Sequence, residues 1–305
     1  MPKIIVILGP TASGKTRLAV QVADRLGGEV VSVDSRQVYR DMDLGTGKDL
    51  DEYRIEDKTI PYHLINVVEA GADYHLYQYQ QDFYGVLPGI LERGRVPVVC
   101  GGTGLYLEAV LKGHQFTAIP IDETLRRDLE SRSTEELQAL FRENPSAYTP
   151  LADTSTRKRL IRAIEIARHL ARHPDTAPDR VFPLPETLVF GIDLPVEVRR
   201  ERITRRLHDR LRNGLIEEVQ GLLDRGIPAE KLIFYGLEYK FITQYLQGEL
   251  DRPTMTARLE TAIHQFAKRQ MTFFRKMERD GLPIRWLDGL APTARLADEI
   301  VSVYG

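Results

Sequence analysis

Short runs of aliphatic and β-branched residues alternate with longer helical stretches over the first hundred positions. Residues 4–8, 29–33 and 96–100 read as strands, and each ends in a turn rich in Gly, Ser or Asp. That rhythm predicts an α/β fold with a parallel sheet and crossover helices. Ligands of such sheets bind beyond the carboxyl ends of the strands, so the residues just after each run are the ones to inspect for chemistry.

From about residue 122 to 179 the strand signal gives way to charged, helical sequence, including a helix over 156–172, and closes in a Pro-rich stretch at 174–185. A strand-like run returns at 188–192 and further helices follow. The last long one spans about 253–279, beginning after a Pro and ending near Gly281. The expected organisation is an α/β catalytic core of residues 1–120 and 185–305 with a helical insertion at 121–184. No internal repeat or low-complexity tract is visible.

The chain has 305 residues, of which 42% are apolar and 28% charged, ordinary for a globular protein and against disorder as the default. The net charge of −2 gives no global basic field, so any nucleic acid must be held by local patches. Cys100 is the only cysteine, which excludes an intrachain disulfide and a cysteine-built zinc site and fits a reducing cytoplasm. The apolar run at 4–8 is far too short to span a bilayer and meets Gly9-Pro10 directly. No targeting segment and no membrane partner are expected.

The sequence Gly9-Pro10-Thr11-Ala12-Ser13-Gly14-Lys15-Thr16 matches the phosphate-binding loop pattern in full, between a predicted strand and a helix starting near Lys15. Gly9 and Gly14 permit the tight backbone path and successive amides turn inward to phosphate oxygens. Lys15 adds a mobile positive charge, and the Thr16 hydroxyl can ligate Mg2+. Kinases, NTPases and group transferases all use such a loop, so the neighbouring strand ends must decide.

After the second strand comes Asp34-Ser35-Arg36-Gln37-Val38-Tyr39. A carboxylate there can accept a proton or bind Mg2+ through water; the plainer reading is that Asp34 or Ser35 caps the next helix. After the third strand, Gly101-Gly102-Thr103-Gly104-Leu105-Tyr106 forms a second glycine-rich turn, with the Thr103 hydroxyl directed to the same crevice.

Two helices are strongly basic. Residues 157–172 carry six Lys or Arg against one acid, Glu165, with Leu160, Ile161, Ile164 and Ala167 as the apolar side. In 199–212, Ile203, Leu207 and Leu211 form the buried stripe, while Arg199, Arg202 and Arg206 share a different face that can grip pyrophosphate or RNA phosphates, or be merely solvated. In the final helix His264, Lys268, Arg269, Arg275 and Lys276 interleave with Phe266, Phe273 and Phe274. The seven-residue spacing of Phe266 and Phe273 predicts core positions for both.

Taken in order, G-P-T-A-S-G-K-T, D-S-R-Q-V-Y from Asp34, M-D-L-G-T-G-K from Met42, G-G-T-G-L-Y from Gly101, R-x-x-R-A-I-E from Arg159, G-L-I-E-E-V from Gly214 and A-K-R-Q-M-T-F-F-R from Ala267 make the chain resemble the bacterial tRNA dimethylallyltransferases, or tRNA isopentenyltransferases, over nearly its whole length. The resemblance implies a P-loop NTPase-like fold and transfer of a dimethylallyl group from dimethylallyl diphosphate to the exocyclic amine of the adenosine 3′ of a tRNA anticodon. It implies that residues 9–16 hold the prenyl diphosphate rather than ATP, with Mg2+ at Thr16. By family position Asp34 orients the adenine amine and removes its proton, with Ser35, Arg36 and Gln37 around the base. Thr103, Arg126, Lys158, Arg159 and Arg162 fall at tRNA-contacting positions, on the core and on an insertion that grips the anticodon stem-loop. A monomer is expected, working on a flipped-out base.

The chain departs from the family pattern at several places. It has Ser155-Thr156 for Asn-Asp, His264 for Arg, Tyr235-Gly-Leu-Glu-Tyr-Lys240 near Gly-Tyr-Lys, Asp49 for the Pro after Lys48, and Asn66 for Asp. The competing reading is a P-loop kinase of a nucleoside or small metabolite, which binds and turns over ATP and uses helix 199–212 as an arginine-bearing lid. A noncatalytic RNA-binding protein is disfavoured by the presence of Lys15, Thr16 and Asp34 together.

Overall fold

The computed structural model describes residues 3–179 and 183–305; residues 180–182, inside the Pro-rich stretch, lie outside them. The strands are β1 (Lys3–Leu8), β2 (Glu29–Val33), β3 (Arg54–Ile55), β4 (Lys58–Thr59), β5 (Tyr62–His63), β6 (Pro97–Gly101), β7 (Glu186–Asp193) and β8 (Ile284–Asp288). The helices are α1 (Lys15–Leu26), α2 (Leu76–Glu92), α3 (Gly104–Lys112), α4 (Glu123–Glu130), α5 (Thr134–Glu143), α6 (Arg157–Arg172), α7 (Val196–Arg212), α8 (Leu215–Asp224), α9 (Ala229–Tyr235), α10 (Leu237–Leu246), α11 (Arg252–Arg279) and α12 (Thr293–Tyr304). None of these helices is long and apolar enough to cross a membrane.

Six strands form one parallel sheet in the order β5-β2-β6-β1-β7-β8, with Ile5 opposite Val98 and Val6 opposite Val189. The central strand β1 is buried from Ile4 to Leu8, because helices cover both faces of the sheet and leave no polar side for alternation. Each fully buried aliphatic side chain there contributes roughly 1.5–3 kcal/mol of transfer free energy. Helix α1 packs Leu18, Ala19, Val22 and Ala23 into the same core as Ile5 and Ile7. This is the P-loop NTPase-like α/β fold that the sequence predicts. The third predicted strand runs one residue later, Pro97–Gly101. Strands β5 and β8 and the β3–β4 hairpin had no expectation attached: the first and the hairpin strands have two residues each, and β8 is an edge strand interrupted by Arg285.

The chain divides into two compact units, Met1–Leu111 with Pro183–Gly305, and Lys112–Phe182. In the second, Leu129 and Leu137 pack on Leu160, Ile161 and Ile164 of α6. Its helices start at side-chain caps: Asp122 accepts from Leu125 N at 2.9 Å, Ser133 and Glu136 form a capping box, and Thr156 accepts from Arg159 N at 3.3 Å.

Candidate active site

The phosphate loop leaves β1 and enters α1 through Gly14, whose φ of 84° suits a residue without Cβ. No acidic residue sits in the first turn of α1, so the positive end of its dipole faces the loop uncompensated. Lys15 Nζ rests on the carbonyl oxygen of Pro10 at 3.4 Å. Burial pushes its pKa down, as does Arg206, against the pull of Cys100, Asp34 and Asp49. Ser13 Oγ is buried without a hydrogen-bond partner. A buried hydroxyl left unpaired costs about 1–3 kcal/mol, so a ligand that reaches it is favoured. Gly9 backs the loop from behind, where a Cβ would come within 2.7 Å of Ser13 Oγ.

The residues after β2 form a turn and not a helix, which removes the capping reading for Asp34 and Ser35. Asp34 Oδ1 accepts from Arg36 N at 2.9 Å, fixing the carboxylate at the strand end. Ser35 N donates to Thr103 Oγ1 at 3.1 Å, so the Asp34 turn and the second glycine-rich turn are joined directly. Gln37 is engaged at both ends, accepting from Ser32 Oγ at 2.8 Å and donating to the Gly47 carbonyl at 3.1 Å. Arg36 donates to the Phe234 carbonyl at 2.9 Å and lies 5.3 Å from that ring's centroid.

These segments line one cavity of about 790 Å³. Thr11, Ala12, Ser13, Gly14, Lys15, Thr16, Asp34, Ser35, Arg36, Gln37 and Thr103 all reach it, and every lining residue belongs to the first unit. The arginine face of α7 differs from expectation. Arg202, Arg205, Arg206 and Arg210 line the cavity, whereas Arg199 is 9% exposed and takes no part in the lining. Ile203, Leu207 and Leu211 are the buried stripe, as the spacing predicts. The core expectation for Phe266 is corrected too: it is 40% exposed and lines the cavity, Phe273 is half-buried, and the buried ring is Phe274. Helix α11 is apolar on a face set by Met255, Leu259, Ile263, Ala267 and Phe274, and Phe266 lies off it.

Sequence reading missed Gln270. Buried on α11, it accepts from Thr11 N at 2.9 Å and donates to the Gly102 carbonyl at 2.8 Å, bridging the phosphate loop to the second glycine-rich turn. Its one signal was its place in A-K-R-Q-M-T-F-F-R. Asp49, which pairs with Arg206 and Arg210, was noted only as a departure from the family.

The remaining four candidates lie in the second unit. Arg126 and Arg162 both reach Glu165, at 2.7 and 3.4 Å, and Arg162 also donates to the carbonyls of Ile119 and Pro120. Arg159 pairs with Asp153 at 2.7 Å, and Lys158 is exposed. Among the described residues no group of three or more His, Cys, Asp or Glu is placed to hold a metal ion. Thr16 lines the cavity directly after Lys15 and presents a hydroxyl there.

The IPP transferase family matches residues 37–277, and the isopentenyl transferase family matches residues 2–60. The chain is 52% identical to tRNA dimethylallyltransferase 1 of Porphyromonas gingivalis over 99% of both chains. It is 49% identical to tRNA dimethylallyltransferase 1 of Geotalea uraniireducens, over 98% of this chain and 96% of that one. The crystal structure of the tRNA isopentenylpyrophosphate transferase of Bacillus halodurans superposes with a TM-score of 0.72 at 31% identity, covering 100% of this chain and 96% of the other. With its phosphate loop, Asp34 turn and second glycine-rich turn closing on one cavity, the chain belongs to the tRNA dimethylallyltransferase family.

Proposed function

We propose that this chain transfers a dimethylallyl group from dimethylallyl diphosphate to the exocyclic amine of the adenosine 3′ of the anticodon in tRNA. The observation that carries the reading is the meeting of phosphate loop and Asp34 turn in one cavity, so that one ligand can touch both. Its volume lies in the range of small-molecule sites.

The diphosphate takes the amides of residues 11–16, the orphaned Ser13 hydroxyl and Lys15, whose burial-depressed ammonium gains a counter-charge. Thr16 would hold Mg2+, which when bound would supply charge stabilisation to the departing pyrophosphate. The adenine amine nitrogen attacks C1 of the dimethylallyl group, the C–O bond to the diphosphate breaks, and the amine proton passes to the Asp34 carboxylate. Ser35, Arg36, Gln37 and Thr103 form the wall against which the base is positioned. Gln37 serves it by tying the turn to Gly47. Reaching this wall requires the adenine to leave its stack.

Arg126, Lys158, Arg159 and Arg162 contact the phosphates of the anticodon stem-loop, a local basic patch on a chain of net charge −2. A monomer and a cytoplasmic location, where tRNA is found, complete the reading. Family membership favours prenyl transfer over the kinase. The test is release of pyrophosphate from dimethylallyl diphosphate and Mg2+ by the purified protein. Release that depends on added unmodified tRNA is expected; ATP turnover with a small acceptor, and none with tRNA, would favour the kinase.

A further inference from the structure

Asp49 carries a left-handed backbone, with φ 44° and ψ 53°, a region that Asp tolerates better than most residues. Its carboxylate bridges two guanidinium groups one helical turn apart on α7, Oδ2 to Arg206 and Oδ1 to Arg210 at 3.2 Å. Gly47 allows this close approach: a Cβ there would lie 2.2 Å from Arg210 Nη2 and 2.8 Å from Arg206 Nη2. All three charged residues line the cavity with Lys15.

The two arginines are not equivalent. Arg206 and Asp49 line the cavity with Lys15, and Lys15 feels the charges of both. Arg206 and Arg210 share a recess with Thr11 and Ala12 of that loop and with Glu238. Glu238 is within electrostatic reach of both, and Arg210 is the strongest favourable influence on it, so Arg210 keeps an acidic neighbour if Asp49 is lost. Burial and Arg210 pull the pKa of Arg206 down, and Asp49 is the main influence holding it up. Arg206 is thus a partly buried cation on the wall of the same cavity as the phosphate loop, with Asp49 as its main counter-charge.

We propose that Asp49 is a built-in competitor for the substrate diphosphate: its carboxylate holds Arg206 while no diphosphate is bound, and Arg206 exchanges it for a phosphate oxygen opposite Lys15 when one arrives. The inference rests on the reading that the phosphate loop takes a diphosphate. Guanidinium groups bind carboxylates and phosphates with the same planar fork, so the exchange conserves the geometry of the pair. Asp49 then weakens diphosphate binding and speeds pyrophosphate release, acting as a positioning residue through Arg206.

The test is calorimetric titration of inorganic pyrophosphate with Mg2+ into the full-length protein and its variants. Asp49→Asn is expected to bind pyrophosphate more tightly, on the order of tenfold. The gain should vanish in Asp49→Asn/Arg206→Gln, and in turnover the single variant should lower both KM for dimethylallyl diphosphate and kcat. Asp49→Gly, which removes the carboxylate and suits the positive φ, is read the same way should Asp49→Asn fold poorly. Unchanged or weaker pyrophosphate binding in a folded Asp49 variant, or a gain that survives loss of Arg206, overturns the proposal. Lys15→Ala separates the two ideas, since undiminished pyrophosphate binding there would count against the phosphate-loop reading itself.

Discussion

Gln270 and Thr11 lie 259 residues apart, yet the Gln270 side-chain oxygen accepts the Thr11 backbone N–H at 2.9 Å while its amide nitrogen donates to Gly102 O at 2.8 Å. One buried side chain therefore sets the separation of the two turns between which the substrates must meet. Gln270→Ala orphans a backbone donor and an acceptor, at about 1–3 kcal/mol each where water cannot enter. We expect kcat/KM to fall by roughly 10–100-fold, with KM for dimethylallyl diphosphate rising more than KM for tRNA. An unchanged KM for the diphosphate would remove Gln270 from the site's architecture.

Asp34 is read as the group that takes the amine proton. Asp34→Asn can still accept from Arg36 N, so the turn is retained while the base is lost. Turnover should drop by about 10²–10⁴-fold. Affinity for the prenyl diphosphate, measured by direct binding, should stay within a few fold. Loss of both together would mean that Asp34 serves the diphosphate instead.

Lys48 is fully buried and donates to Tyr39 O at 2.6 Å, Asp43 Oδ1 at 2.6 Å and Asn66 Oδ1 at 2.5 Å. It fastens the 43–49 segment that carries Gly47 and Asp49. Lys48→Met leaves these acceptors without their donor and should cost about 1–3 kcal/mol in urea unfolding. Asn66→Asp keeps an acceptor facing the ammonium, so it should be tolerated. Equal stability of the wild type and Lys48→Met would show that the loop is held by its backbone alone.

Glu29, buried at the start of β2, accepts from Arg93 at 3.0 and 2.7 Å and lies 2.7 Å from His63 Nε2. The Arg93 hydrogen bonds, helped by His63, hold its carboxyl below the ordinary value of 4.5 despite burial. A depressed carboxylate stabilises the fold above its unfolded pKa, and that contribution is lost as pH falls through the folded value. Below pH 4.5 the wild type should therefore lose stability more steeply than Glu29→Gln. Parallel urea-midpoint curves for the two proteins between pH 3 and 6 would contradict this.

The parts of the site that were legible in the sequence are local ones. The phosphate loop is contiguous, and the spacing of its glycines, lysine and threonine marks it out before the structure places residues 11–16 on the cavity wall. Asp34 and Thr103 were found because a parallel sheet presents its strand ends on one side. Gln270 and Asp49 were not assigned roles, because their partners lie 259 and up to 161 residues away and no local pattern encodes them. Phe266 was misassigned for a related reason: a seven-residue spacing fits a buried stripe, but only packing shows which stripe of a 28-residue helix is covered. Strand β8 escaped because an edge strand needs one apolar neighbour rather than two, and its sequence Ile-Arg-Trp-Leu-Asp shows it.

The most direct test of the central claim is mass spectrometry of nucleosides from unmodified total tRNA incubated with the purified protein, Mg2+ and dimethylallyl diphosphate. The account predicts a new adenosine bearing one five-carbon prenyl unit, mapping to the position 3′ of the anticodon and missing from the Asp34→Asn reaction. An unmodified adenosine pool after full incubation with folded protein, or a prenyl group elsewhere in the tRNA, would contradict it.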